Sequence, residues 1–315
     1  MTTSTVPRTP IVSVKPVVLD AAGRDPGLHV RVSAPTTGER LPVVVFSHGN
    51  GWSMDGYAPL ADHWAGEGLV VVQPTHLDSR SVGLAPDDPR FASVWRQRVT
   101  DLTTVIDRLE DLVAAVPGLA GRVDTAAVAV AGHSWGAQTA GMLLGARVLD
   151  EAGNPGEDLR DPRVRAGVLL AATGTGESLT PFAAEHLPFM RPSYPHLTTP
   201  TLVVAGGSDR SALSTRGPDW FTDAYTLSPG ATAMLTLPGG EHSLGGIVGH
   251  EVAETTDPDP ARVRIIQRVT TAFLRTQLGL DAAAWPAAVA DVEREAGAAA
   301  RISTKEGPAV RASEL

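Results

Sequence analysis

Apolar positions follow two rhythms along the chain. In the first they form short, nearly unbroken runs: PVVVFS (42–47), LVVVQP (69–74), AAVAVAG (126–132), RAGVLLAA (165–172) and TLVVAGG (201–207). Runs of this length, rich in β-branched residues and closed by turn residues, are how strands covered on both faces of a parallel sheet read. In the second rhythm, Val99, Leu102, Ile106, Leu109, Val113 and Val116 recur every three or four positions, which predicts a helix with one apolar stripe. Residues 137–149 and 261–278 carry helical patterns as well. The earlier segments IVSVKPVVL and LHVRVSA fit an antiparallel start. Strands alternating with helices predict an α/β fold, a mostly parallel central sheet with helices on both faces.

Two stretches break the alternation. Residues 77–92 and 174–200 are long, rich in proline and carry aromatic side chains. Irregular segments of that length in a compact domain usually serve function. The second is expected to form a loop-rich lid or substrate loop. Residues 1–280 are expected to make one catalytic unit. Residues 281–315, alanine-rich and then polar, are expected to form a helix to about residue 300 and a flexible tail.

Composition narrows the chemistry. A net charge of −9 over 315 residues argues against nucleic acid or an anionic membrane surface as partner, since both attract basic proteins. With no cysteine in the chain, disulfides, thiolate metal sites and cysteine nucleophiles are excluded. No apolar stretch is long enough to span a bilayer, so no membrane span is expected. The first sixteen residues lack the apolar core and small-residue cleavage site of an export signal, and a cytoplasmic location is expected. There is no H-E-x-x-H and no G-x-x-x-x-G-K-[ST], and the glycines near residue 49 do not make G-x-G-x-x-G; no metal and no cofactor are expected.

The informative motif is GHSWG (132–136), a G-x-S-x-G placed between an apolar strand and a helical pattern. That context puts Ser134 on a sharp strand-to-helix turn, with its hydroxyl at the carboxyl edge of the sheet. A serine hydroxyl is a weak nucleophile near neutral pH and needs a base, itself oriented by an acid. On such a sheet the expected chain order is Ser, acid, His. Asp209 lies just past the run TLVVAGG, and His242 lies in the loop after the next strand-like run, MLTLPGG. Glu177 is an alternative acid, and His250 an alternative base. The oxyanion that forms on acyl transfer needs preorganised donors. The backbone N–H of Trp135 is one candidate. The other is the N–H of Asn50, or of Gly51, in FSHGNGWSMDGY (46–57). Trp52, Trp135, Phe182, Phe189, Met190 and Tyr194 are candidates for an apolar pocket. Arg80 and Arg191 are loop cations that can meet a substrate carboxylate.

With these residues in place, the chain resembles the α/β-hydrolase superfamily over nearly its whole length. SHGNGWSMDGYAPLADHWAGEGLVVVQPTHLDS and GHSWGAQTA resemble the branch that holds dienelactone hydrolases, chlorophyllases and platelet-activating-factor acetylhydrolases. The resemblance implies a triad of Ser134, Asp209 and His242, with an oxyanion hole in the His48–Gly49–Asn50 loop. HLDS (76–79) resembles the segment that borders the site in such enzymes, and His76 is expected at the substrate. Dienelactone hydrolases proper use a cysteine nucleophile, which this chain lacks. The resulting expectation is a serine hydrolase that cleaves a small-molecule carboxylic ester through an acyl-enzyme. Lactone opening, amide hydrolysis and acyl transfer use the same triad and stay open. A hydrolase fold that only binds its ligand would be marked by a lost triad member, and none is lost.

Overall fold

The computed structural model describes residues 9–21, 24, 27–85, 87–249, 251–297 and 299–305. The chain enters through β1 (Ile11–Leu19), β2 (Leu28–Pro35) and β3 (Leu41–Ser47), then α1 (Ala58–Gly66) and β4 (Val70–Pro74). Next come α2 (Val94–Asp107), α3 (Leu109–Ala114), β5 (Val123–His133) and α4 (Trp135–Leu143). A short pair, β6 (Arg147–Val148) and β8 (Pro192–Ser193), brackets β7 (Val164–Leu170) and α5 (Pro181–His186). The chain closes with β9 (Thr201–Gly206), α6 (Asp223–Thr226), β10 (Ala231–Leu237), α7 (Pro260–Gln277), α8 (Ala284–Asp291) and β11 (Arg301–Thr304).

Among the described residues nine strands form one sheet in the order β1-β2-β4-β3-β5-β7-β9-β10-β11. The six from β4 to β10 run parallel, and β1, β2 and β11 pair antiparallel at the margins. The unbroken apolar runs have a direct cause. In β3, Val44 and Phe46 enter the core beneath α1 and α7, whereas Val43 and Val45 enter the core beneath α2, α3 and α4. Strand β9 divides in the same way, with Leu202 and Val204 on one side and Val203 on the other. Successive side chains of a strand point to opposite faces, so a strand covered on both needs an apolar residue at every position.

The helical stripe read over 99–116 is two helices, because the chain turns at Arg108 between α2 and α3. Helix α7 begins where expected: the Asp259 carboxylate accepts the N–H groups of Ala261 (2.9 Å) and Arg262 (3.0 Å), and Pro260 occupies the first turn. Among the described residues no helix is long and apolar enough to cross a membrane.

The C-terminal segment departs from the sequence reading. Helix α8 ends at Asp291 and is followed by one π-helical turn (292–296), after which Arg301–Thr304 joins the sheet beside β10. This short strand has no periodicity to announce it. It is held by four register pairs with β10 and by Lys305, whose ammonium donates to the carbonyl of Ser228 at 2.7 Å. Residues 306–315, the rest of the expected tail, lie outside the described residues. Removing residues 301–315 is expected to destabilise the protein by about 2 kcal/mol, a fall of about 3 °C in Tm by differential scanning calorimetry. An unchanged Tm would show that β11 adds nothing to the sheet.

Candidate active site

Ser134 stands at the turn from β5 into α4 with φ 56° and ψ −121°, a backbone conformation that a non-glycine residue rarely adopts. The flanking glycines explain how the turn closes. A Cβ on Gly132 would lie 2.1 Å from the carbonyl oxygen of Gly136, and a Cβ on Gly136 would lie 2.0 Å from that of Ser47. Both contacts are with backbone, so no side chain can rotate away to make room. The strain is offset by hydrogen bonds on either side: the Ser134 N–H donates to Leu170 O (2.9 Å), and Ser134 O accepts from Ala137 N–H (2.9 Å) and Gln138 N–H (3.2 Å).

The serine hydroxyl points along a hydrogen-bonded chain. Ser134 Oγ lies 2.9 Å from His242 Nε2, and His242 Nδ1 lies 3.0 and 3.2 Å from the two carboxylate oxygens of Asp209. Asp209 follows β9 and is fully buried; burial pushes its carboxyl up, and the bond from His242 pulls it back. The loop that carries His242 is fixed by Asp257, whose carboxylate accepts the N–H groups of Glu241 (2.8 Å) and Gly245 (3.1 Å) and pairs with Arg262 (2.8 Å). Glu177, the alternative acid, is exposed and makes no bond to His242. His250, the alternative base, lies outside the described residues.

The loop after β3 meets this chain from the other side. Arg98 donates to the carbonyls of His48 (2.9 Å) and Gly49 (3.3 Å). The N–H of Gly49 donates to the Tyr57 hydroxyl (2.9 Å), and the N–H of Gly51 to Asp78 (3.4 Å). Asn50 sits between them, and its N–H makes no hydrogen bond among the described residues. The Trp135 N–H is likewise unused, because the first amides of a helix have no acceptor within it. Asn50 and Trp135 both line the cavity that Ser134 faces. Gly51, the other candidate donor, has its N–H committed to Asp78.

Beneath the loop lies a buried polar cluster. Arg98 and Asp78 pair through two bonds (2.7 and 2.8 Å) with both side chains 1% exposed, and the guanidinium overrides burial to hold the Asp78 carboxyl well below the usual carboxylate range. His48 Nδ1–H donates to Gly49 O (2.7 Å), and His48 Nε2 accepts the N–H of His76 (2.9 Å). His76 bridges Ser47 (2.9 Å) and Asp101 (2.8 Å). Burial lowers both histidines well below their ordinary range, which keeps them neutral.

The cavity in front of Ser134 has a volume of about 570 Å³ and a predominantly apolar wall. Among the described residues six Trp and Phe side chains line it: Trp52, Phe91, Trp135, Phe182, Trp220 and Phe221. Trp52 and Phe182, both named from the sequence, are part of this wall. Phe182, on α5 within 174–200, is 61% exposed, and Leu187 from the same stretch joins the wall. Four expected pocket residues are elsewhere. His76 is fully buried among polar groups under the Asn50 loop, because both ring nitrogens are committed to Ser47 and Asp101. Phe189 packs edge-on behind Trp135, its ring centroid 5.4 Å away, and supports the wall instead of forming it. Met190 is 1% exposed and belongs to the core. Tyr194 is buried as well and donates its hydroxyl to Thr173 O. Arg80 pairs with Glu254 at the rim (2.6 Å), and Arg191 is not part of the cavity wall.

Tyr57, His133, Asp78 and Arg98 were not singled out from the sequence. For Arg98 a signal existed: Val94, Arg98, Asp101 and Val105 fall on the buried side of α2, and charges within an apolar stripe mark a buried network. Tyr57 and His133 carry no such mark, since their pairing spans 76 residues.

A family model described as the alpha/beta hydrolase family matches residues 44–276, and the chain belongs to that family. The match begins inside β3 and ends in α7, so it spans Ser134, Asp209 and His242. No individual curated protein matches the chain.

Two outcomes follow from this geometry. Gly136→Ala is expected to cost more than about 3 kcal/mol, read as a lower urea midpoint or loss of soluble protein, because the new methyl meets backbone. His133 is buried, and burial lowers it from 6.5 to about 3. Below pH 6.5 the unfolded chain therefore takes up a proton that the folded protein refuses, and stability falls with pH. Relative to His133→Gln, which does not titrate, the native protein is expected to lose about 2 kcal/mol between pH 7 and pH 5 in paired urea titrations. Parallel curves would contradict a neutral, buried His133.

Proposed function

We propose that this α/β hydrolase is a serine esterase that cleaves small-molecule carboxylic esters through an acyl-enzyme intermediate. The observation that carries the reading is the unbroken chain Ser134–His242–Asp209, at 2.9 and 3.0 Å, opening on an apolar cavity. Ser134 Oγ attacks the ester carbonyl while His242 Nε2 takes its proton. Asp209 accepts from Nδ1–H, which sets the imidazole tautomer and stabilises the imidazolium as it forms. The N–H groups of Asn50 and Trp135 meet the oxyanion, a contribution of a few kcal/mol from each donor in a preorganised site. His242 returns the proton to the leaving alkoxide, and water, activated by the same imidazole, releases the acid.

The wall favours apolar substituents on both sides of the scissile bond. A volume of about 570 Å³ lies within the usual range for small-molecule sites. Trp52 and Phe91 stand with Val248 among the lining residues, as do Phe182, Trp220 and Phe221.

Hydrolysis of p-nitrophenyl esters from acetyl to long acyl chains tests the reading. Ser134→Ala and His242→Ala are each expected to lower kcat by about 10⁴-fold or more, and Asp209→Asn by about 10³- to 10⁴-fold. A fluorophosphonate is expected to label the native protein on Ser134 and to leave Ser134→Ala unlabelled. Turnover surviving unchanged in Ser134→Ala would overturn the nucleophile. Faster turnover of matched lactones or amides than of esters would replace the ester substrate and keep the triad.

A further inference from the structure

We infer that Tyr57 and His133 are positioning residues, a hydrogen-bonded strap that joins the oxyanion loop to the loop of the catalytic base and holds the two in register. The inference rests on the esterase reading of Ser134 and His242.

The Tyr57 hydroxyl oxygen lies 2.9 Å from the Gly49 N and 2.9 Å from His133 Nδ1, and His133 Nε2 lies 2.8 Å from the carbonyl oxygen of His242. The backbone groups at the two ends fix every proton between them. Gly49 N–H can only donate, so the Tyr57 oxygen accepts there, and its own proton goes to His133 Nδ1. The ring proton of His133 must then sit on Nε2, where it donates to His242 O, which can only accept. Tyr57 is 0% and His133 3% exposed. Burial raises the tyrosine and lowers the histidine, so both stay neutral and the direction of the strap does not reverse across the working pH range.

The strap touches all three moving parts of the chemistry. Gly49 precedes the oxyanion donor Asn50, His133 precedes the nucleophile, and His242 is the base. Tyr57 is tied to the base loop a second time, through its own N–H to Val248 O (3.2 Å). It adopts φ 65° at the start of α1, a conformation unusual for an aromatic residue and one that these contacts over-determine. The rings of His133 and His242 also pack with centroids 4.9 Å apart. An apolar residue at 57 would fill the same space without connecting anything. The hydroxyl and the imidazole supply what packing cannot: a fixed separation between the N–H that receives the oxyanion and the nitrogen that receives the proton. Displacements well under 1 Å at such groups are costly to the reaction.

The test uses the full chain and a soluble p-nitrophenyl ester, with Tyr57→Phe, His133→Gln, His133→Ala and the double variant Tyr57→Phe/His133→Gln. Tyr57→Phe is expected to lower kcat about 10- to 100-fold with KM within twofold. Affinity for a boronic acid, which forms a tetrahedral adduct on the serine, is expected to fall by the same factor as kcat/KM. His133→Gln places an amide N–H near the position of Nε2 and is expected to retain several-fold more activity than His133→Ala. The double variant is expected to be no worse than the poorer single one, because the two side chains act as one unit. If Tyr57→Phe fails to fold, the contrast between His133→Gln and His133→Ala carries the test. Folded variants with native kcat and native boronate affinity would overturn the inference, as would a change confined to KM. Ser134→Ala, assayed alongside, separates the two readings. Loss of activity there with native-like Tyr57→Phe overturns the strap alone, and retained activity overturns the triad and the strap together.

Discussion

The closeness of three backbones controls this structure. The end of β3, the end of β5 and the first turn of α4 meet so tightly that Gly136 has 2.0 Å between an imagined Cβ and the carbonyl of Ser47. That contact holds Ser134 in its strained conformation, and it brings the loop after β3 close enough for Gly49, His133 and Tyr57 to share hydrogen bonds. A wider crossing would relax the serine, but it would also move Asn50 away from the helix whose first amide belongs to Trp135. The strain at Ser134 and the placement of Asn50 beside Trp135 are consequences of one packing distance.

Such a crossing needs support from below, and the support is polar. Arg98, Asp78, His48, His76 and Asp101 lie under the loop with scarcely any exposure. Buried charges and imidazoles are costly unless each is paired. Here Arg98 faces Asp78 on two bonds and places further N–H groups on the carbonyls of His48 and Gly49, while the histidines remain neutral and hydrogen-bonded at both ring nitrogens. Apolar packing would stabilise the fold at least as well, but it has no direction. The polar cluster determines which way each carbonyl and amide of the loop points.

Much of this was legible in the chain because strands covered on both faces leave a plain signature, because Ser134 and Asp209 each follow such a strand, and because His242 follows the alternating strand β10. Position relative to a strand end is a strong constraint on where a side chain emerges. Residues in the irregular stretches carried no comparable constraint. Phe189, Met190 and His76 have the composition of a pocket wall, but whether such side chains face a cavity or the core depends on loop paths that leave no periodicity. The same limit hid Tyr57 and His133, whose meeting depends on the path of the whole loop from 48 to 57. Strand β11 stayed hidden for another reason: four residues with one apolar side chain, Ile302, make no alternating pattern. Arg98 and Asp101 differ: as charged residues on the buried side of α2 they leave a signal in the sequence, one that the reading of the apolar stripe passes over.

The hydrogen bonding of the loop around Asn50 has a thermodynamic consequence. The carbonyls of His48, Gly49 and Gly51 and the amides of Gly49 and Gly51 already have partners within the protein. The conformational entropy of this segment is therefore lost when the chain folds and is not lost again when a ligand arrives. A ligand that reaches the Asn50 N–H meets an amide that is already aimed. Its binding is governed by what water must leave the cavity and by the contacts that replace it, with little contribution from ordering the protein.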